Sequence, residues 1–212
     1  MTTSPVPGAR LPAAVRALAG ASVLVVLAAS YAEQRAAGRG SVVDFLGYFT
    51  NLTSLLAGLL LVVLAVHAGR QVPLWLTLAR GVATTCLVVV AVVYATLVPG
   101  EGGTTPWVSA VLHVAFPCAV MLDWLLLVDR PALPWRRLWL VLPYPVLWLV
   151  VAVVRGRTDG WVPYGFLLPG RGVPSLVLHV AGLVVVLLAA GALVWATGRT
   201  RGLRRPVAPA AV

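Results

Sequence analysis

The stretch GYFTNLTSLL, Gly47–Leu56, decides how this chain is read. It carries Tyr48, Thr50, Asn51, Thr53 and Ser54, yet it opens an apolar run that continues as AGLLLVVLAV. Hydrocarbon offers no partner to such side chains, so each must find one inside the protein or bond its own helix. Asp44, Gly47, Asn51, Ser54 and Gly58 recur at spacings of 3, 4, 3 and 4 residues, which is one stripe of a helix. Small and polar residues on one stripe belong at a helix–helix contact within a membrane bundle. Thr50 borders that stripe. Asn51-Leu52-Thr53 matches a glycosylation sequon, but a position inside a membrane helix is out of reach for that modification.

Composition points the same way. Of 212 residues, 60% are hydrophobic and 10% charged, against about 25% charged in a soluble domain. The net charge of +10 does not mark a nucleic-acid binder. All 16 basic residues are Arg and most lie between apolar runs, as topology signals do. Cys86 and Cys118 lie within apolar runs and read as small buried hydrophobes; no metal site is expected. The absence of Lys, with abundant Ala, Val, Leu, Gly and Pro, leads to the expectation of a bacterial plasma-membrane protein.

A membrane helix needs ~20 apolar residues. Six segments qualify, at about 13–32, 43–66, 75–98, 107–128, 137–154 and 174–197. The expected fold is an all-α polytopic bundle of six transmembrane helices, a single domain over 1–212, with a basic tail at 198–212. The first segment ends in AASYAEQ, which also fits a signal-peptide cleavage site; a retained helix is the expectation. Eleven Arg fall on the side of the two termini and five on the other, so both termini are expected in the cytoplasm.

Depth then brings polar residues from different helices to one level. Thr50 and His113 each lie seven residues into an inward-running helix, or ~10 Å deep, and His179 lies ~8 Å into the sixth. An ionisable residue at membrane depth is a functional candidate, and a neutral imidazole is the form expected there. Asp123, ~15 Å further along the helix of His113, is expected to pair with Arg136 or Arg137 near the inner interface. Asp44, near the outer surface, is within range of Arg155, Arg157 or Arg171.

The segments YFTNLTSLLAGLLLV, LHVAFPCAVMLDWLLL, WRRLWLVLPYPVLWLVVAVVRG and DGWVPYGFLLPG resemble, in order and spacing, the bacterial six-helix membrane proteins called Pr-six-Pr. More distantly, the chain is similar to the androgen-induced and androgen-dependent TFPI-regulating family, membrane threonine hydrolases that cleave fatty acid esters of hydroxy fatty acids. That resemblance implies a Thr nucleophile in a Tyr-aliphatic-Thr setting and a His base in a His-x-x-x-x-Pro-like one, carried over to Thr50 in YFT and His113 in LHVAFP. Asn51 and His179 have no counterpart in that pattern.

The chemistry fits these residue types. A Thr hydroxyl becomes a nucleophile when a neutral His takes its proton. The oxyanion then needs a donor, for which Asn51, Tyr94 and His179 are the candidates. Arg155, Arg157 and Arg171, beside the loop RGRTDGWVPYGFLLPGRGVPS, are candidates for lipid phosphates or a substrate carboxylate. Expected partners are membrane lipids and a lipid-ester substrate, with no cofactor and no nucleic acid. Two other readings stay open. One is a non-enzymatic scaffold or transporter; the other is a b-type haem held by His113 and His179.

Overall fold

The computed structural model describes residues 10–39, 41–70, 72–99, 104–127 and 131–200. Glu101, Arg130 and the part of the expected basic tail beyond Thr200 lie outside them. The helices are α1 (Arg10–Ala36), α2 (Val42–Gly47), α3 (Phe49–Val66), α4 (Leu74–Thr96), α5 (Pro106–Ala110), α6 (Phe116–Leu126), α7 (Pro143–Thr158) and α8 (Gly172–Thr197). No strand occurs among the described residues. Six stretches are long and apolar enough to cross a bilayer: Leu11–Ala36, Phe49–Val66, Leu74–Thr96, Pro106–Leu126, Trp135–Thr158 and Pro169–Thr197. The chain is a multi-pass integral membrane protein built as an all-α bundle.

Packing follows from where small residues sit. Lipid tails are as apolar as Leu, so membrane helices associate through close approach and hydrogen bonds rather than through exclusion of water. α1 and α3 cross at Gly20 and Gly58, where a Cβ on Gly20 would stand 2.6 Å from the Gly58 carbonyl oxygen. Val23, Leu27, Ala57, Leu61 and Leu64 fill the crossing and join Leu87, Leu112 and Phe116 in one core. α4 is the most buried span and the fifth is the least. A second core gathers Trp124, Leu133, Val141, Leu187, Val194 and Trp195.

Three of the expected continuous helices are interrupted, each for a local reason. The second is broken at Tyr48, whose backbone is extended (φ −68°, ψ 128°) between α2 and α3. A break strands carbonyls, and side chains recover them: Asn51 Nδ2 donates to Phe45 O at 2.8 Å, and Trp148 Nε1 to Gly47 O at 2.8 Å. α2 starts at a capping box in which Ser41 and Asp44 bond each other's backbone N–H. The fourth contains a π turn over Val111–Ala115, in which Phe116 N–H reaches Val111 O. Pro117 explains it, since four residues after His113 it offers no N–H and its ring crowds that carbonyl. The fifth begins as a 3-10 turn, Trp135–Val141, because Pro143 and Pro145 withhold the N–H groups a regular helix would need there.

At the end of the bundle away from Tyr48, the expected partners of Asp123 are corrected. Arg136 and Arg137 lie on the 3-10 turn, whereas the Asp123 carboxylate lies between α1 and α4. It pairs with Arg16 Nε at 2.7 Å and with an Arg80 terminal nitrogen at 2.6 Å. Arg80 also donates to the Asp123 carbonyl at 2.7 Å. Both arginines are almost wholly buried. The reading of the cysteines holds for Cys86, which is buried, and not for Cys118, which is exposed on α6.

Candidate functional site

The question raised by GYFTNLTSLL has a residue-by-residue answer. Tyr48 makes the break and packs its ring edge-on against Trp161 and Tyr164. Asn51 spans the break. Thr53 Oγ1 lies 2.8 Å from the Tyr144 hydroxyl. Ser54 is fully buried, on the stripe that faces the bundle. Thr50 lines a cleft and faces His113: Thr50 Oγ1 and His113 Nε2 stand 3.4 Å apart.

The surroundings of His113 fix which nitrogen is free. Its Nδ1 lies 3.0 Å from the carbonyl oxygen of Ser109, one turn earlier. A carbonyl only accepts, so Nδ1 carries the proton and Nε2 presents a lone pair to Thr50. Ser109 Oγ stands 3.2 Å from Nδ1 and donates to the Tyr94 hydroxyl at 2.8 Å. The Tyr94 ring stacks on the imidazole with centroids 3.9 Å apart and planes at 13°. Sequence reasoning singled out Tyr94 but missed Ser109. Its i, i+4 relation to His113 is the signal that would have found it.

The 3.4 Å separation exceeds the ~2.6–3.2 Å of a working proton transfer, a looseness usual before substrate is bound. Thr50 is the second residue of α3, so its backbone N–H and that of Phe49 have no acceptor within the helix. They face the Tyr164 hydroxyl: burial raises that phenol above its ordinary value, and hydrogen bonding from Thr50 and from these two backbone groups opposes the rise.

Thr50 and His113 line a cleft with about 1140 Å³ of empty space, open mouth included. Its polar lining, Gln34, Tyr48, Asn51, Tyr94, Thr104 and Tyr164, gathers toward the end where α3 and α5 begin, and the remainder is almost wholly aliphatic and aromatic. The 160–171 segment contributes Tyr164 and Phe166 to the lining. It is held down by Arg155, which bonds Asp44 at 2.8 Å and Asp159 at 2.8 Å and stacks under Trp161 at 4.3 Å. A Cβ on Gly47 would run into the Trp161 ring, so the glycine lets the indole sit where it does.

Asn51 and Tyr94 also line the cleft: Asn51 donates one amide N–H to the Phe45 carbonyl, and the Tyr94 hydroxyl accepts from Ser109. The remaining expected site residues are placed differently. His179 lies outside the cleft lining; it is held by Ser175 O at 2.8 Å and stacked on Phe166. Arg155 is engaged by two carboxylates, and Arg157 and Arg171 are exposed and outside the lining.

The fold and the cleft define the class, a multi-pass membrane bundle with a Thr–His pair at one end of an apolar cavity. Comparison with protein-family models, with curated proteins and with solved structures finds no match.

Proposed function

We propose that this protein is a membrane-embedded threonine hydrolase of lipid esters, in which Thr50 is the nucleophile and His113 the general base. The observation that carries the reading is the contact of Thr50 Oγ1 with the unprotonated Nε2 of His113 in the wall of an apolar cleft. The resemblance to the threonine hydrolases supports it independently. His113 Nε2 takes the Thr50 proton as Oγ1 attacks the ester carbonyl. The imidazolium returns that proton to the leaving alcohol, and an acyl ester remains on Thr50. Water, deprotonated by the same Nε2, then attacks the acyl ester, releases the acid and restores Thr50.

The developing oxyanion is best served by the backbone N–H groups of Phe49 and Thr50, which point out of the first turn of α3. Tyr164 stands where that oxygen would arrive and has to swing aside or donate its own O–H. The Arg distribution supports cytoplasmic termini, an orientation in which the cleft opens toward the outer leaflet, where ester groups of lipids lie.

Fluorophosphonate labelling of the purified protein tests the reading, beside Thr50→Ala and His113→Ala. Wild type is expected to be labelled at Thr50. Removal of either residue is expected to abolish ester hydrolysis, and the double variant to lose little more, because the two act as one unit. Thr50→Ser keeps the hydroxyl and part of the activity. Lipid-ester turnover at the wild-type rate by Thr50→Ala would falsify the assignment, leaving a six-helix scaffold or transporter as the reading.

A further inference from the structure

The cleft continues well past the Thr–His pair. On α8 it is lined by Val180, Leu183, Val184 and Leu187, which fall on one helical face. From Val180 to Leu187 that face runs ~10 Å along the helix axis. Val146 and Leu149 of α7 line the cleft as well, and the span that contains α7 is the least buried of the six. Leu187, the lining residue farthest along α8, is itself buried in the core with Val141, Ala190 and Val194. Among the described residues, nothing polar lines this deep half. At the mouth, by contrast, a second cavity lined by Ser30, Glu33, Gln34, Arg39, Thr104 and Thr105 shares Gln34 and Thr104 with the first.

An apolar trough, a reactive pair part-way along it and a polar vestibule above match one kind of molecule. We propose that the trough holds and measures the acyl chain of a single-chain fatty ester, with Leu187 as its floor, while the alcohol half leaves by the vestibule at Gln34 and Thr104. This rests on the hydrolase reading for the direction of the ester but not for the presence of the chain. A saturated chain satisfies every contact the deep half offers, whereas a headgroup or charged end placed there would lose its hydration without compensation. The acyl carbon next to the carbonyl then points down α8 and the ester oxygen points toward Gln34. In this orientation His113 stands beside the leaving oxygen it must protonate.

Two arms test the proposal. In the first, kcat/KM is compared on butyryl and octanoyl p-nitrophenyl esters for wild type, Val184→Trp and Leu183→Trp, all checked for monodisperse elution. An indole in the trough is expected to cut octanoyl turnover by roughly tenfold or more, the scale on which an apolar pocket discriminates chain size. Butyryl turnover should stay within about twofold, since a short chain ends above the block. An equal fall on both esters, or none on either, overturns the proposal.

The second arm needs no catalysis. Octanoic acid carrying a diazirine at its methyl end is photolysed on wild type, Thr50→Ala and the two Trp variants, with unlabelled octanoate as competitor. Saturable labelling of the α7 and α8 segments around Leu187 is expected in wild type and Thr50→Ala and should be lost in the Trp variants. Labelling elsewhere, or labelling indifferent to the Trp substitutions, overturns the chain site. Equal saturable labelling by a two-chain phosphatidylcholine with the same photoreactive end overturns the single-chain assignment. If wild type hydrolyses no ester yet gives the Leu187 label, the hydrolase reading fails and the acyl-chain site stands.

Discussion

The two ends of the bundle handle polar atoms in opposite ways. At one end Asp123 is clamped between Arg16 and Arg80, the three side chains are buried, and Trp124 and Trp195 fill the space around them. At the other, Thr50, His113, Ser109 and Tyr94 form an uncharged chain of contacts along a cleft. The ionic end has strong pairing and no room; the cleft end has weak pairing and a great deal of room. Charge deep in a low-dielectric interior is tolerated only when every partner is in place, and losing one leaves an uncompensated ion. A neutral hydrogen-bonded group tolerates loss of a neighbour at much smaller cost. The first arrangement therefore holds the helices together, while the second is free to exchange its contacts for those of a ligand.

The comparison breaks first at Asp123. Asp123→Asn leaves two buried guanidinium groups facing each other and is expected to destabilise the protein by ~3–5 kcal/mol, the cost of breaking a buried ion pair from one side. Thr50→Ala, which deletes one neutral contact, should cost ~0.6 kcal/mol. Unfolding in mixed micelles by SDS titration measures both, and similar costs would erase the distinction between the ends.

A second, smaller contrast lies in the glycines. Gly20→Ala pushes a methyl into the Gly58 carbonyl oxygen, which as backbone cannot swing away, and should cost ~1–3 kcal/mol. Gly182→Ala on α8 meets nothing within 4 Å and should leave the melting temperature unchanged. Thermal denaturation of the two variants in the same detergent separates them.

The smallest effect concerns the loop over the cleft. The Arg155 guanidinium holds the Asp44 carboxyl below its ordinary value of 3.8. A carboxyl depressed in the folded state contributes fully above that ordinary value and loses its contribution as pH falls through the lowered one. The Asp44–Arg155 tie should thus be intact at neutral pH and released only below about pH 4. Limited proteolysis with pepsin should cut the 159–171 segment faster as pH drops through that window, and Asp44→Asn should show the faster cutting already at its upper edge. Cutting that is the same for both proteins across the window would show that the tie does not hold the loop.

Much of this architecture is legible in the sequence because hydropathy over twenty residues reports which segments cross a membrane. Depth is legible as well, since a fixed rise per residue converts position into distance from the helix start; that is how Thr50 and His113 come to one level. Azimuth is harder. His179 shares their depth but turns toward Ser175 and Phe166, because nothing in a uniformly apolar α8 says which face meets the cleft. For Asp123 the sequence points to Arg136 and Arg137 on the next segment, yet its partners come from α1 and α4, and only the packing of three helices identifies them. The break at Tyr48 has no proline to announce it. Its marks are the Ser41–Asp44 capping box that starts a separate short helix and the Asn51 amide placed to recover the lost carbonyl. The π turn does have a mark, Pro117 four residues after a candidate His.

That π turn also works as a gear between the two ends. Ten residues separate His113 from Asp123, and at ~100° per residue a regular helix would leave the two side chains ~80° apart in azimuth. A turn closed by an i, i+5 bond absorbs one residue more than a regular turn and so resets the phase of everything after it. One continuous helix can then aim its imidazole into the cleft and its carboxylate between two arginines. Removing a single residue from Val111–Ala115 would restore ordinary helical winding and swing α6 out of step with the ionic clamp. The spacing of these two residues along the chain is accordingly as much a part of the design as their identities.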